Sequence, residues 1–137
     1  MKHAEQSEIL RRQFYEVRQG VWTLVGNGLS NQTFVEGPDG IIAIDTGEST
    51  EEMREAIAEL RQVTDRPIIA VLYTHFHYVG GTEAVFEDRA TQGISDPRGI
   101  HIYGHEKVAH NRSRTATEIA TAYGRGLVEQ FALMLPP

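Results

Sequence analysis

The stretch Tyr73-Thr74-His75-Phe76-His77-Tyr78-Val79-Gly80-Gly81-Thr82 decides how this chain is read. It follows an apolar run, Ile68 to Leu72, that reads as a buried strand. Two histidines two residues apart at a strand's end point to the same side. Imidazole is a common zinc ligand, so the pair makes half of a metal site. Gly80-Gly81 then opens a helix with Ala84, Val85 and Phe86 as its apolar residues. A glycine pair there suits an anion at the helix start. It suits close packing of loop against sheet better, because two glycines alone are a weak anion signal.

Upstream, Tyr15 to Arg18 and Val21 to Val25 read as strands separated by Gln19-Gly20. Gly26-Asn27-Gly28 marks a turn. Gln32 to Glu36 and Ile41 to Asp45 flank Gly37-Pro38-Asp39-Gly40, which has hairpin turn chemistry. After Asp45-Thr46-Gly47 the period changes. Ser49 or Thr50 can cap a helix, and Glu52 stands three residues after Ser49, as in a capping box. Met53, Ala56, Ile57, Leu60 and Val63 recur at helical spacing, and Pro67 separates them from the next strand. Strand, helix and strand in this order predict a right-handed βαβ crossover.

Downstream, residues 89–99 read as a loop and Ile100 to Tyr103 as a short strand. Glu106 to about Leu135 reads as mostly helical, with a break at Gly124-Arg125-Gly126, since each glycine costs about 1 kcal/mol in a helix. Residues 4–13 are polar and suit a short helix or an arm. The apolar end, Phe131 to Pro137, is unusual for a solvated terminus.

Composition bounds the function classes. At 137 residues the chain is one compact domain by length. A hydrophobic fraction of 40% can form a core. The net charge of −6 opposes nucleic-acid binding, which needs a basic surface. No apolar run reaches the roughly 20 residues of a membrane span. Met1-Lys2-His3-Ala4-Glu5 lacks the apolar core of a signal peptide, so a cytoplasmic location is expected. There is no cysteine, so any metal must use His, Asp or Glu.

The histidine stretch resembles the metal-binding loop of the metallo-β-lactamase superfamily, written H-x-H-x-D-H-x-G. Here His75-Phe76-His77-Tyr78 runs straight into Val79-Gly80-Gly81, and the Asp-His pair is absent. Ile44-Asp45-Thr46-Gly47 at the end of the preceding strand strengthens the match. Gly28-Leu29-Ser30-Asn31, Val71 to His75, and Asn111-Arg112-Ser113-Arg114 with Tyr123-Gly124 look like the alkyl/aryl sulfatases of that superfamily. The resemblance implies an α/β (α+β) fold, the N-terminal half of an αββα sandwich, with a mixed sheet and flanking helices. It implies a single truncated domain over 1–137, with 1–14 as an N-terminal arm. The family's second half, with its remaining metal ligands, is not in this sequence.

The resemblance also implies a site. His75 and His77 would be zinc ligands, and Asp45 a catalytic residue near the metal that orients the loop. Asn111, Arg112, Arg114 and Tyr123 would bind an anionic ester, the guanidinium fork suiting sulfate oxygens. A hydrolytic zinc site needs three protein ligands, so two histidines alone hold zinc weakly or not at all. A third ligand would come from Asp45, His105 or another subunit, while Tyr78 stands in the gap left by the missing pair, its phenol filling the metal pocket or lining it. The plainer readings stand beside these. The loop histidines bond backbone or water, His101 and His105 are ordinary partly exposed histidines, and the arginines lie on a solvated helix face. Half a sandwich leaves Val21, Leu24, Phe34, Val35, Ile42, Ile44, Ile69 and Val71 as a candidate uncovered apolar face. Such patches are rare on monomers, so a homodimer or higher homo-oligomer is expected. Two functions follow: an alkylsulfatase-type ester hydrolase using a metal-bound hydroxide, or a non-catalytic oligomeric domain that keeps the fold.

Overall fold

A computed structural model describes residues 11–130. Most of the expected N-terminal arm and the apolar C-terminal residues lie outside that range. The chain divides into two compact units that meet between His105 and Glu106.

The first unit carries six strands: β1 (Gln13–Arg18), β2 (Val21–Val25), β3 (Gln32–Glu36), β4 (Ile41–Ile44), β5 (Ile68–Leu72) and β6 (His101–Tyr103). Their order in the sheet follows their order in the chain. β1 to β4 pair antiparallel through short turns. β4, β5 and β6 pair parallel. Parallel neighbours need crossovers, and helix α1 (Thr50–Leu60) and helix α2 (Thr82–Thr91) supply them. The mixed sheet with flanking helices matches the expected fold class. β1 already begins at Gln13, so the expected arm overlaps the sheet by two residues. α2 runs on to Thr91, three residues into the expected loop.

Alternation along each strand sorts the side chains. Trp22, Phe34, Ala43 and Val71 stand in one row across β2 to β5, and Val21, Val35, Ile42 and Ala70 in the next. The first row is buried with Met53, Ala56, Ile57 and Leu60 of α1 and Ala84 and Val85 of α2. Burying a side chain such as Phe34 or Leu60 stabilises by about 1.5–3 kcal/mol. The next row keeps Val21, Val35 and Ile42 half-buried. This corrects the candidate open face. Leu24, Phe34 and Val71 belong to the helix-covered core at 0% exposure. Val21, Val35, Ile42 and Ile44 remain on the less covered side.

Local chemistry sets the helix ends. Ser49 caps α1, its side chain accepting from the Glu52 backbone N–H at 3.2 Å. The Glu52 carboxylate does not return to the cap residue. It accepts instead from the Glu48 backbone N–H at 2.7 Å, one residue further back. The expected capping box is therefore half formed. Arg61, beyond α1, grips Asp88 of α2 with Nε to Oδ1 at 2.8 Å and Nη2 to Oδ2 at 2.5 Å. Arg89 is buried and donates to four backbone carbonyls, those of Ile68, Asp96, Pro97 and Gly99. It ties the loop before β6 to the start of β5.

The second unit holds helix α3 (Val108–Ala116) and helix α4 (Ala120–Gln130). The break falls at residues 117–119 and not at the glycines, which lie inside α4. The Arg114 carbonyl takes the backbone N–H groups of Thr117, Glu118 and Ile119, which ends α3. Thr115 and Thr117 hydroxyls bond back to the carbonyls of Asn111 and Ser113 at 3.1 and 2.8 Å. Such back-bonding competes with helix continuation.

Candidate functional site: a histidine loop clasped by Asp45

β5 ends at Leu72, so the two histidines lie just beyond the strand, in the loop before α2. Three ties to residues 45–47 hold this loop. Both Asp45 carboxylate oxygens accept from Thr74, Oδ1 from its backbone N–H at 2.9 Å and Oδ2 from its hydroxyl at 2.6 Å. The Thr46 backbone N–H donates to the Tyr78 carbonyl at 2.8 Å. The Gly80 backbone N–H donates to the Gly47 carbonyl at 3.0 Å. Asp45 is buried and adopts φ 57°, the left-handed region. Asp tolerates this better than most residues, at a cost of order 1 kcal/mol. The sharp turn follows from that backbone. It lets the Asp45 backbone N–H finish the parallel ladder on Leu72 while the carboxylate faces Thr74.

The glycine pair has a packing reason. A Cβ on Gly80 would stand 2.0 Å from the Glu48 carbonyl oxygen, and one on Gly81 would stand 2.0 Å from that of Thr46. Close approach of loop to turn, rather than an anion, accounts for both glycines. Below them, Thr82 Oγ1 meets the hydroxyls of Thr46 and Tyr73.

Within the loop His75 is exposed, and His77 and Tyr78 are half-buried. The two imidazole centres are 5.0 Å apart at 77°. Tyr78 stands edge-on to His75 at 4.8 Å, lining the histidine rather than replacing a donor. Burial, and then the neighbouring His75, hold His77 below the ordinary histidine range, which favours its neutral form. Burial, and then Glu52, push Glu48 above the usual carboxylate range.

Among the described residues, no three of His, Cys, Asp and Glu stand together as a metal-holding group. Asp45 is occupied by Thr74, and His105 joins no such cluster. The residues present therefore do not fit a complete hydrolytic zinc site. Of the expected ester-binding residues, Asn111 is half-buried and Arg112 and Arg114 are exposed, all on α3 in the second unit. Arg114 Nε is paired to Glu118 at 2.8 Å. The Tyr123 side chain lies outside what the structure describes. A shallow groove of about 260 Å³ lies elsewhere, between α1 and α2 and lined by Arg54, Ile57, Ala84 and Glu87. Among the described residues no helix is long and apolar enough to cross a membrane.

Sequence reasoning missed Thr74.

A mixed sheet ending in this histidine loop defines the class of fold, and comparison with known proteins identifies the family. The family model of the metallo-beta-lactamase superfamily matches residues 25–126, and the chain belongs to that superfamily. A linear primary-alkylsulfatase from Pseudomonas sp. is 35% identical over 126 residues, covering 90% of this chain and 18% of the relative. A second linear primary-alkylsulfatase from Pseudomonas sp. is 39% identical over 80 residues, covering 56% and 14%. The chain thus spans less than a fifth of these relatives. A solved double mutant of the sec-alkyl sulfatase PisA1 superposes with TM-score 0.76 at 23% identity, covering 97% of this chain and 21% of that one.

Proposed function

We propose that this chain forms the loop-bearing half of an alkylsulfatase-type ester hydrolase centre. His75 and His77 offer two imidazoles, and Asp45 holds the loop that carries them. The observation behind this reading is the double grip of Asp45 on Thr74, with the two rings 5.0 Å apart beyond it. That arrangement orients imidazole donors, and its buried carboxylate is committed to positioning. Two donors fall short of the three that a hydrolytic metal centre uses. No catalytic step is therefore assigned to the described residues alone. Similarity to the alkylsulfatases supports a sulfate ester as the substrate class.

The second reading is a non-catalytic domain that keeps the fold and self-associates. It is favoured by the half-covered row of Val21, Val35 and Ile42.

One experiment separates them. The purified chain is equilibrated with zinc, dialysed, analysed for metal, and assayed for sulfate release from dodecyl sulfate. The half-centre reading expects weak, sub-stoichiometric zinc that falls at least several-fold in the His75→Ala/His77→Ala double variant, with no turnover. Equal metal in wild type and double variant removes the half-centre reading and leaves the second. Stoichiometric zinc with turnover removes both, because the site would then be complete.

A further inference from the structure

We propose that Thr74 is a positioning residue that fixes the tautomer of His75. The argument is a proton count. A threonine hydroxyl carries one proton, and a carboxylate only accepts. Thr74 Oγ1 lies 2.6 Å from Asp45 Oδ2, so its proton is committed there. The same oxygen lies 2.8 Å from His75 Nδ1. With the hydroxyl proton spent, that contact is a hydrogen bond only if Nδ1–H donates to Oγ1. Nε2 is then left bare, with its lone pair free to accept.

The relay works against intrinsic preference. A free histidine side chain in water favours the Nε2–H tautomer, so the Asp45–Thr74–His75 chain selects the less common form. The function is separable from anchoring, because the Thr74 backbone N–H also donates to Asp45 Oδ1 at 2.9 Å. Removing the hydroxyl leaves that anchor in place. This assignment deepens the half-centre reading, since Nε2 becomes the atom His75 offers. It concerns the metal-free chain, so it stands or falls separately from metal uptake.

The test is long-range proton–nitrogen NMR of the nitrogen-15-labelled, EDTA-treated chain at about pH 8.5, where an ordinary imidazole is neutral. His75 is assigned by its loss in His75→Gln. The expected wild-type signature is a protonated Nδ1 and a bare Nε2. Thr74→Val should shift the ratio several-fold toward Nε2–H, and Thr74→Ser should restore the wild-type pattern. Asp45→Asn is the sharper variant. Its side-chain oxygen must still accept from the Thr74 backbone N–H, so its NH₂ faces Oγ1 and donates. The Thr74 proton is then released toward Nδ1, and His75 should switch to Nε2–H. Dispersed amide spectra confirm that each variant is folded. A wild-type His75 that is mainly Nε2–H overturns the proposal. So does a ratio unchanged in folded Thr74→Val and Asp45→Asn.

Discussion

Gly81→Ala tests whether the loop and the turn are pressed together as closely as the structure shows. Gly81 has φ −89°, which alanine adopts freely, so backbone strain plays no part. The new methyl would stand 2.0 Å from the Thr46 carbonyl oxygen, 2.5 Å from Met53 Cβ and 2.7 Å from the Ser49 carbonyl oxygen. Two obstacles are backbone, and the third belongs to a fully buried side chain. Relief requires a retreat of more than about 1 Å, which breaks the Thr46 bond to Tyr78 or lifts α1 from the sheet. Overpacking costs about 1–3 kcal/mol when side chains absorb it. With backbone in the way, about 3 kcal/mol is expected, a large share of a stability of about 5–15 kcal/mol. Urea unfolding read by the fluorescence of Trp22, the single and buried tryptophan, reports on this unit. Gly124→Ala, with nothing within 4 Å inside a helix, should instead gain up to about 1 kcal/mol in helicity. A Gly81→Ala variant that loses under about 1 kcal/mol, with the Thr46 and Tyr78 amide resonances unmoved, would refute the close-packing account.

Three further predictions test other parts of the framework. Asp88→Ala should cost about 1.5–3 kcal/mol in a double-mutant cycle with Arg61, because that pair is bidentate and only 18% and 10% exposed; a coupling below about 0.5 kcal/mol would contradict it. Arg89→Met should cost about 3 kcal/mol and speed proteolysis within residues 96–99, since the buried Ile68 carbonyl and the part-buried carbonyls of that loop lose their donor; unchanged cleavage would count against the clamp. His77 should titrate below about 6.5 by NMR and stay below it in His75→Ala, because burial is the larger cause. A folded value under the unfolded one means that its contribution is present above about pH 6.5 and lost on acidification. A His77 midpoint above 6.5 would remove that pH dependence.

Much of the sheet was legible because its signals are local. The Gly37-Pro38-Asp39-Gly40 turn and the change of period after Gly47 place β3, β4 and the start of α1 within about a residue, whereas α1 ends at Leu60, three residues before the expected Val63. The sorting of faces was less legible. Leu24 and Phe34 are as apolar as Val35 and Ile42, and only the register shows which row the helices cover. The α3–α4 break was misplaced because glycine cost was weighed without the threonine back-bonds and the shared Arg114 carbonyl. At the site, the sequence motifs marked Asp45, His75 and His77. Thr74 was hidden because its role depends on two oxygen positions 29 residues away, which no spacing rule encodes. Arg89 was hidden for a similar reason. Its partners are backbone carbonyls, and these leave no mark on the amino-acid pattern.

The strand order of the sheet, each strand beside its neighbour in the chain, carries a kinetic consequence. Each of the antiparallel ladders from β1 to β4 can close as soon as its second strand exists, without waiting for distant segments. For the β1–β4 ladders loop-closure entropy is met in small steps, whereas the parallel ladders to β5 and β6 must first close long crossovers, which is slower. During synthesis the β1–β4 meander can form first, and β5 and β6 can then add at its free edge. Thr74 emerges directly behind β5, so its meeting with Asp45 would report the moment of β5 docking. The histidine loop is thus among the last parts of the sheet unit to gain its shape.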